Sequence, residues 1–412
     1  MPVPNRDDGM DIRPFVIAAG AVLTSALLTA CSGPSAPRAH TTTRPSLPSQ
    51  ATTPTRSTTS TSVTTTGFLA QSASFVTVDV GFVLGVTSCS TGTCLSLMHT
   101  VDRGASWVSA SPPPTTLGAT DTTGVSELHF ADAVDGWAFG GSLWATHDGG
   151  QEWQAVNIGG PVVAMASGAG VVYALVEPCA SAPCTDPGHL YRSPVGQNSW
   201  SEVPGVSGQF DRGAVSLVAE GQTVFVLAAY PEPEILGSSD GVHFTALPVP
   251  CSAEPEQPGP FAPASLAASD PDDLAVACLG GVAAGSQAKQ LYISHDGGHS
   301  YQRLPDPPLG GDGAELAMPA PTTVLLGAWS GATQVYRIAP PDSSWTTPLI
   351  FGDGGVGVTD LGFVDPAHGA VIHGNALTAL PNLSTANPPS GLGTLYLTGD
   401  GGAGWQPAPI PR

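Results

Sequence analysis

Leu143-Trp144-Ala145-Thr146-His147-Asp148-Gly149-Gly150-Gln151-Glu152-Trp153 reads as a strand, a tight turn and a closing aromatic, and the chain repeats it. Later copies are Leu291-Tyr292-Ile293-Ser294-His295-Asp296-Gly297-Gly298-His299-Ser300-Tyr301 and Leu395-Tyr396-Leu397-Thr398-Gly399-Asp400-Gly401-Gly402-Ala403-Gly404-Trp405. Weaker copies run from Asp102 to Trp107 and from Asp240 to Phe244, and remnants end at Trp200 and Trp345. The closing aromatics are thus Trp107, Trp153, Trp200, Phe244, Tyr301, Trp345 and Trp405, at intervals of 46, 47, 44, 57, 44 and 60 residues. A period mostly in the forties, built on strand-and-turn units, is the signature of propeller blades. The sequence predicts an all-β domain, a single seven-bladed β-propeller of four-stranded antiparallel blades.

Blade two can be read strand by strand. Val125 to Ala131 predicts the inner strand, Gly136 to Gly140 the second, Leu143 to Thr146 the third and Trp153 to Val156 the fourth. Aromatic and β-branched runs punctuated by Gly and Asp favour short antiparallel strands. In the turn, Thr146 and Asp148 can accept backbone N–H groups, Gly takes the φ > 0 positions and the aromatic covers the turn from the side. These residues are expected to be structural.

Three segments follow from composition: 1–30, 31–66 and 67–412. Pro14 to Ala30 is an uncharged, mostly apolar run behind Arg6 and Arg13, which reads as a secretory signal. It ends in Leu28-Thr29-Ala30-Cys31, which resembles a bacterial lipobox and implies lipidation at Cys31 after cleavage. From Ser32 to Thr66, 24 of 35 residues are Ser, Thr or Pro and none is acidic, so a disordered tether with a reach of about 30–35 Å is expected. The chain is therefore expected to be exported and lipid-anchored, touching membrane only through that anchor.

Residues 67–412 hold 30 of the 33 acidic residues against one Lys and six Arg, a formal charge of −23. Such a field repels phosphate backbones and anionic headgroups, which excludes nucleic acid as a partner. Six cysteines remain beyond Cys31, a count that suits an oxidising exterior. Spacing favours Cys89–Cys94 and Cys179–Cys184 as loop staples and leaves Cys251–Cys278 as the third pair, one of fifteen possible arrangements.

The turn resembles the Asp-box, or bacterial neuraminidase, repeat with its Ser/Thr-x-Asp-x-Gly-x-x-Trp pattern. Asp102, Asp148 and Asp400 match fully, Asp296 matches with Tyr301 as its aromatic, and Asp240 departs by placing Val242 where a Gly belongs. Whole blades, such as Leu128 to Gly140, look like those of photosystem II stability and assembly factors. The motif is shared by sialidases, xyloglucanases and non-enzymatic receptors, so it implies a fold rather than an activity.

If each blade runs outward from the axis, the Asp turns share one face and the long connections share the other. All three expected disulfides lie on that loop face, which favours it as a binding surface and marks Tyr230, Glu232 and Arg212 as candidate ligand contacts. A second candidate is a ring on the inner strands formed by Ser74, Glu127, Ala164, Ser216, Ser265, Glu315 and Asp360, whose carboxylates Glu127, Glu315 and Asp360 could meet a cation or a polyhydroxylated ligand. A sialidase site needs three converging arginines for bidentate pairing, and the arginines here are dispersed. A xyloglucanase-like inverting site needs only two carboxyls roughly 6.5–9.5 Å apart. Gly237-Ser238-Ser239-Asp240-Gly241 mimics a nucleophile elbow but sits in an Asp turn, and the ten histidines show no metal spacing. The expectation is a monomeric, non-enzymatic propeller with no catalytic residue, metal or cofactor, binding an envelope protein or cell-wall glycan; the alternative is a glycoside hydrolase.

Overall fold

A computed structural model describes residues 67–411 except 91, 119–122, 179–186, 209, 211–214, 229–232, 253–259, 340, 341, 343 and 383–389. Contacts divide the chain into units 1–62 and 63–412. The second unit is the expected seven-bladed propeller. In blade two the strands are Val125–Phe130, Asp135–Gly140, Leu143–His147 and Gln154–Val156, within two residues of the sequence reading. Blade six differs in detail: Thr323–Ile338 is one continuous ribbon whose first half pairs with the inner strand Asp312–Ala320 and whose second half pairs with Thr346–Gly354. Among the described residues one helix interrupts the all-β plan, Ala376–Asn382, capped where Asn375 Oδ1 accepts the Thr378 amide at 3.0 Å.

Each sheet contains only strands consecutive in sequence, so neighbouring blades meet through side chains rather than shared ladders. The inner strands stand side by side around an axis, and seven apolar clusters fill the seven gaps between adjacent blades. The gap between blades one and two shows the packing: Phe82 stacks on Phe130 at 3.7 Å, and Phe130 meets Trp153 edge-on at 6.3 Å. Phe75–Trp107 and Phe363–Trp405 repeat that edge-on pair, so Trp107, Trp153 and Trp405 each cover the inner-strand phenylalanine of their own blade.

The Asp turns follow one design. Thr146 donates its hydroxyl to Asp148 Oδ1 at 2.8 Å and accepts the Gly150 amide at 2.9 Å, while Asp148 Oδ1 also accepts the Glu152 amide at 2.9 Å. The same triangle recurs around Asp102, Asp296 and Asp400. The turn is then bolted to the loop between the first two strands of its blade: Gly149 N donates to Val134 O, Gly297 N to Asp272 O and Gly401 N to Ala367 O, each at 2.9 Å.

The second turn glycine is required twice over. Gly150 has φ +81°, and a Cβ there would sit 2.8 Å from Leu97 Cδ2 of the preceding blade. It is the point at which one blade's turn lies against the core of the blade before it. Gly150→Ala is therefore expected to cost about 2 kcal/mol or more. Gly352→Ala, at an exposed strand position with nothing within 4 Å, should stay within about 0.5 kcal/mol of the parent. Urea unfolding of both variants measures the contrast.

Candidate functional site

The inner strands define a common level around the axis. Phe75 pairs with Gly81, Phe130 with Gly136 and Phe363 with Gly369. Three residues before each phenylalanine stand Ser72, Glu127 and Asp360, while Ala164, Ser216, Ser265 and Glu315 face Leu175, Leu227, Ala277 and Gly327 in their blades. The first blade thus contributes Ser72 where Ser74 was expected. The expected position sets Phe75 in line with Leu128, whereas its pairing with Gly81 makes it the counterpart of Phe130, two residues further along.

Two of the ring carboxylates are tied to the blade that follows them. Asp360 Oδ2 accepts the Ala73 amide at 2.6 Å and also receives the Ser72 hydroxyl; Ser72 Oγ in turn accepts the Leu128 amide at 3.0 Å. Glu315 accepts the Leu361 amide. A chain of side-chain oxygens therefore passes from blade six through seven and one to two. Asp360 has φ +54°, a left-handed conformation for a non-glycine residue that places its carboxylate across the seam between the last blade and the first.

Burial, opposed by these bonds, determines the charge of the ring. Both residues are partly buried, and the surrounding blades strip away most of the water from their side chains. Burial, and secondarily the Asp360 charge, push Glu315 up to about 8. Burial raises Asp360 too, against the pull of the Ala73 amide and the Ser72 hydroxyl. Glu127 lies on the same level and is partly buried. Among the described residues no three His, Cys, Asp or Glu assemble as a metal site.

A cavity of about 480 Å³ occupies the channel and opens on the Asp-turn face, beside Val78, Arg103 and His368. Its wall is mixed: Ser74, His129, Ser167 and Asp360 on one hand, Phe75, Met165 and Leu217 on the other. Burial pulls His129 down to about 4, so its ring is neutral, and Nε2 lies 2.9 Å from Ser167 Oγ. On the loop face an apolar groove of about 510 Å³ runs between the hairpin closed by Cys89–Cys94, the Pro112-Pro113-Pro114 connection, and Leu377 and Leu380 of the short helix.

The Cys89–Cys94 and Cys251–Cys278 disulfides are formed. Cys31, Cys179, Cys184, Arg212, Tyr230 and Glu232 lie outside the described residues. His147 pairs with Asp135 at the start of the second strand of its blade, and His295 with Asp273 just ahead of the corresponding strand. Two polar residues carry more than their sequence context announced. Gln71, buried in the first inner strand, donates to Ser126 O and accepts the Leu377 amide, each at 3.0 Å. Lys289, the sole lysine, is buried among four carbonyls, closest to Gly311 O at 2.6 Å, and burial draws its amine down to about 8. Its uniqueness in an acidic chain was the one available signal.

No protein-family model matches the chain, and no curated protein does. Solved structures match it at low identity. YCF48 from Cyanidioschyzon merolae shares 14% identity at a TM-score of 0.50, over 74% of this chain and 93% of that one. YCF48 bound to D1 peptide shares 17% at 0.40, over 63% and 75%. The GH74 xyloglucanase from Xanthomonas campestris shares 12% at 0.31, over 82% and 72%. Likeness at this identity speaks for the propeller fold alone.

The ring carboxyls make a stability statement with a definite sign. Their folded pKa values lie above the unfolded ones, so their contribution is fully present below about pH 4 and is lost as pH rises toward 8. Glu315→Gln keeps an acceptor for the Leu361 amide and removes the titration. The parent's stability should fall between pH 5 and 8 by an amount on the order of a few kcal/mol, with a matching drop in melting temperature, and the variant should fall clearly less. Equal slopes in calorimetric melts would refute the assignment.

Proposed function

We propose that the chain is an exported, lipid-anchored and non-enzymatic propeller, monomeric and without cofactor, that binds an envelope protein or, second, a cell-wall glycan through its loop face. The observation that carries this reading is the apolar groove beside the first-blade disulfide. Proline and leucine side chains line a concavity of about 510 Å³ on the face that also carries the long connections. Surfaces of this kind, held by a rigid frame, are common protein-binding sites.

The state of the axial carboxylates supports a binding role over hydrolysis. Asp360 and Glu315 hold amides of the following blade, as framework groups do. One feature favours a glycoside hydrolase as the second reading: Glu315 is neutral at pH 7, the protonation state that a general acid needs. Purified protein incubated with xyloglucan should release no reducing sugar. Release that is abolished by Glu315→Gln would replace the binding reading with the hydrolase reading.

A pull-down from envelope extracts with the full chain tests the binding reading directly. Leu377→Asp together with Leu380→Asp places two charges in the groove, and this variant should lose the partners that the parent recovers. Recovery of the same set by both proteins would eliminate the groove as the binding surface.

A further inference from the structure

The channel cavity on the opposite, Asp-turn face has no role in the loop-face reading. Its mouth is framed by the first loop of blade one at Val78, the Asp turn of the same blade at Arg103, and the first loop of blade seven at His368. Both basic groups at the mouth are already balanced: Arg103 Nε lies 2.8 Å from Asp79 Oδ1, and His368 Nδ1 lies 2.9 Å from Asp365 Oδ2. Inside, apolar wall from Phe75, Met165 and Leu217 accompanies the Asp360 carboxylate.

The face around the mouth is negative and stays so. The Ser106 and Ser300 hydroxyls hold Asp102 and Asp296 below the ordinary carboxylate range, Asp296 at about 2, and the Glu152 amide does the same for Asp148. Asp240 and Asp400 are lowered likewise. Carboxylates fixed in the ionised form around a low-dielectric channel focus their field into it and favour a cation there.

We propose that this cavity receives one arginine or lysine side chain presented by a protein partner, its aliphatic stem against Phe75, Met165 and Leu217 and its cationic head toward Asp360. The lining matches the two-part character of such a side chain, an apolar stem carrying a charged tip. Charge complementarity selects the same occupant, since residues 67–412 carry a formal charge of −23 and one lysine, which is buried. A fixed carboxylate at the inner end favours arginine, whose planar fork pairs with it most directly. The inference rests on the protein-binding reading but assigns a second contact surface to it.

The test is isothermal titration calorimetry of the full chain with a blocked nonapeptide that carries one central arginine between leucines, in a glycine-serine frame. Binding at about 1 mM or tighter is expected, weakening several-fold between low and physiological salt. Replacing the arginine by citrulline, which keeps the shape and removes the charge, should lower affinity about tenfold or more. Asp360→Asn should do the same. Because Asp360 also serves the seam, Val78→Arg provides an independent variant: it sets a like charge at the mouth without touching the frame, and it should abolish binding while the melting temperature stays put. Equal affinity for the citrulline peptide, indifference to Val78→Arg, or no binding of the arginine peptide would each overturn the proposal. The loop-face reading has its own readout in the pull-down, so the two can fail separately.

Discussion

The ring closes without a shared sheet, and the rest of the structure depends on that constraint. Among the described residues the first blade consists only of the first four strands and the seventh only of the last four, so no ladder there crosses from the last blade to the first. The seam relies instead on side-chain packing and a few long-range hydrogen bonds. Phe68, Val83, Met98 and Trp107 pack against Ala370, Ile372 and Leu395. Asp360 grips the Ala73 amide, Gly393 O accepts the Ala70 amide at 2.8 Å, and Gln71 joins the short helix to the second blade. Bonds that close a loop of nearly the whole chain gain from every other bond already holding the ends together, which explains why three adjacent residues, Gln71, Ser72 and Ala73, are all engaged there.

The Asp turns and the seam are two uses of one device: an oxygen-bearing side chain that satisfies backbone amides otherwise left unpaired. In the turns the amides are local, and the carboxylates stay exposed, ionised and on one face. On the axis the amides belong to the next blade, and the carboxyls are enclosed and raised. Identical chemistry therefore gives opposite charge behaviour, decided by how much water each site retains. The Asp-turn face keeps its negative charge over a broad pH range, while the axial carboxyl of Glu315 is largely neutral at pH 7.

Blade count, strand order and turn chemistry were legible because each rests on short-range rules. Asp148, Gly149, Gly150 and Trp153 act within a few residues of one another, and the repeat displays that grammar. The axial level was harder to read. It depends on the register between inner and second strands: Phe75 pairs with Gly81 as Phe130 pairs with Gly136, which puts Ser72 rather than Ser74 level with Glu127, and composition does not distinguish Phe130 from Leu128 as the counterpart of Phe75. Gln71 was illegible for another reason: its partners, Ser126 and Leu377, are 55 and 306 residues away. The helix Ala376–Asn382 is a single capped segment too short to show a period. The continuous ribbon Thr323–Ile338 hid a strand boundary because no Asp or Pro separates its halves.

Channel and seam are physically one region, which bears on what occupancy would do. The cavity lining runs from Met165 and Leu217 across the axis to Asp360, Leu397 and Thr398, so it reaches the closure between blades seven and one. Asp360 is the shared element: it carries the seam bond to Ala73 and supplies the negative end of the cavity. In the empty ring its ionised form is penalised by burial. A cation held beside it offsets that penalty and strengthens the acceptor that holds the first blade. Ligand binding to the folded ring alone stabilises it by mass action, and here the added stability falls on the seam, where no sheet spans the gap. Partner recognition on the Asp-turn face and closure of the propeller are in this way two consequences of the same carboxylate.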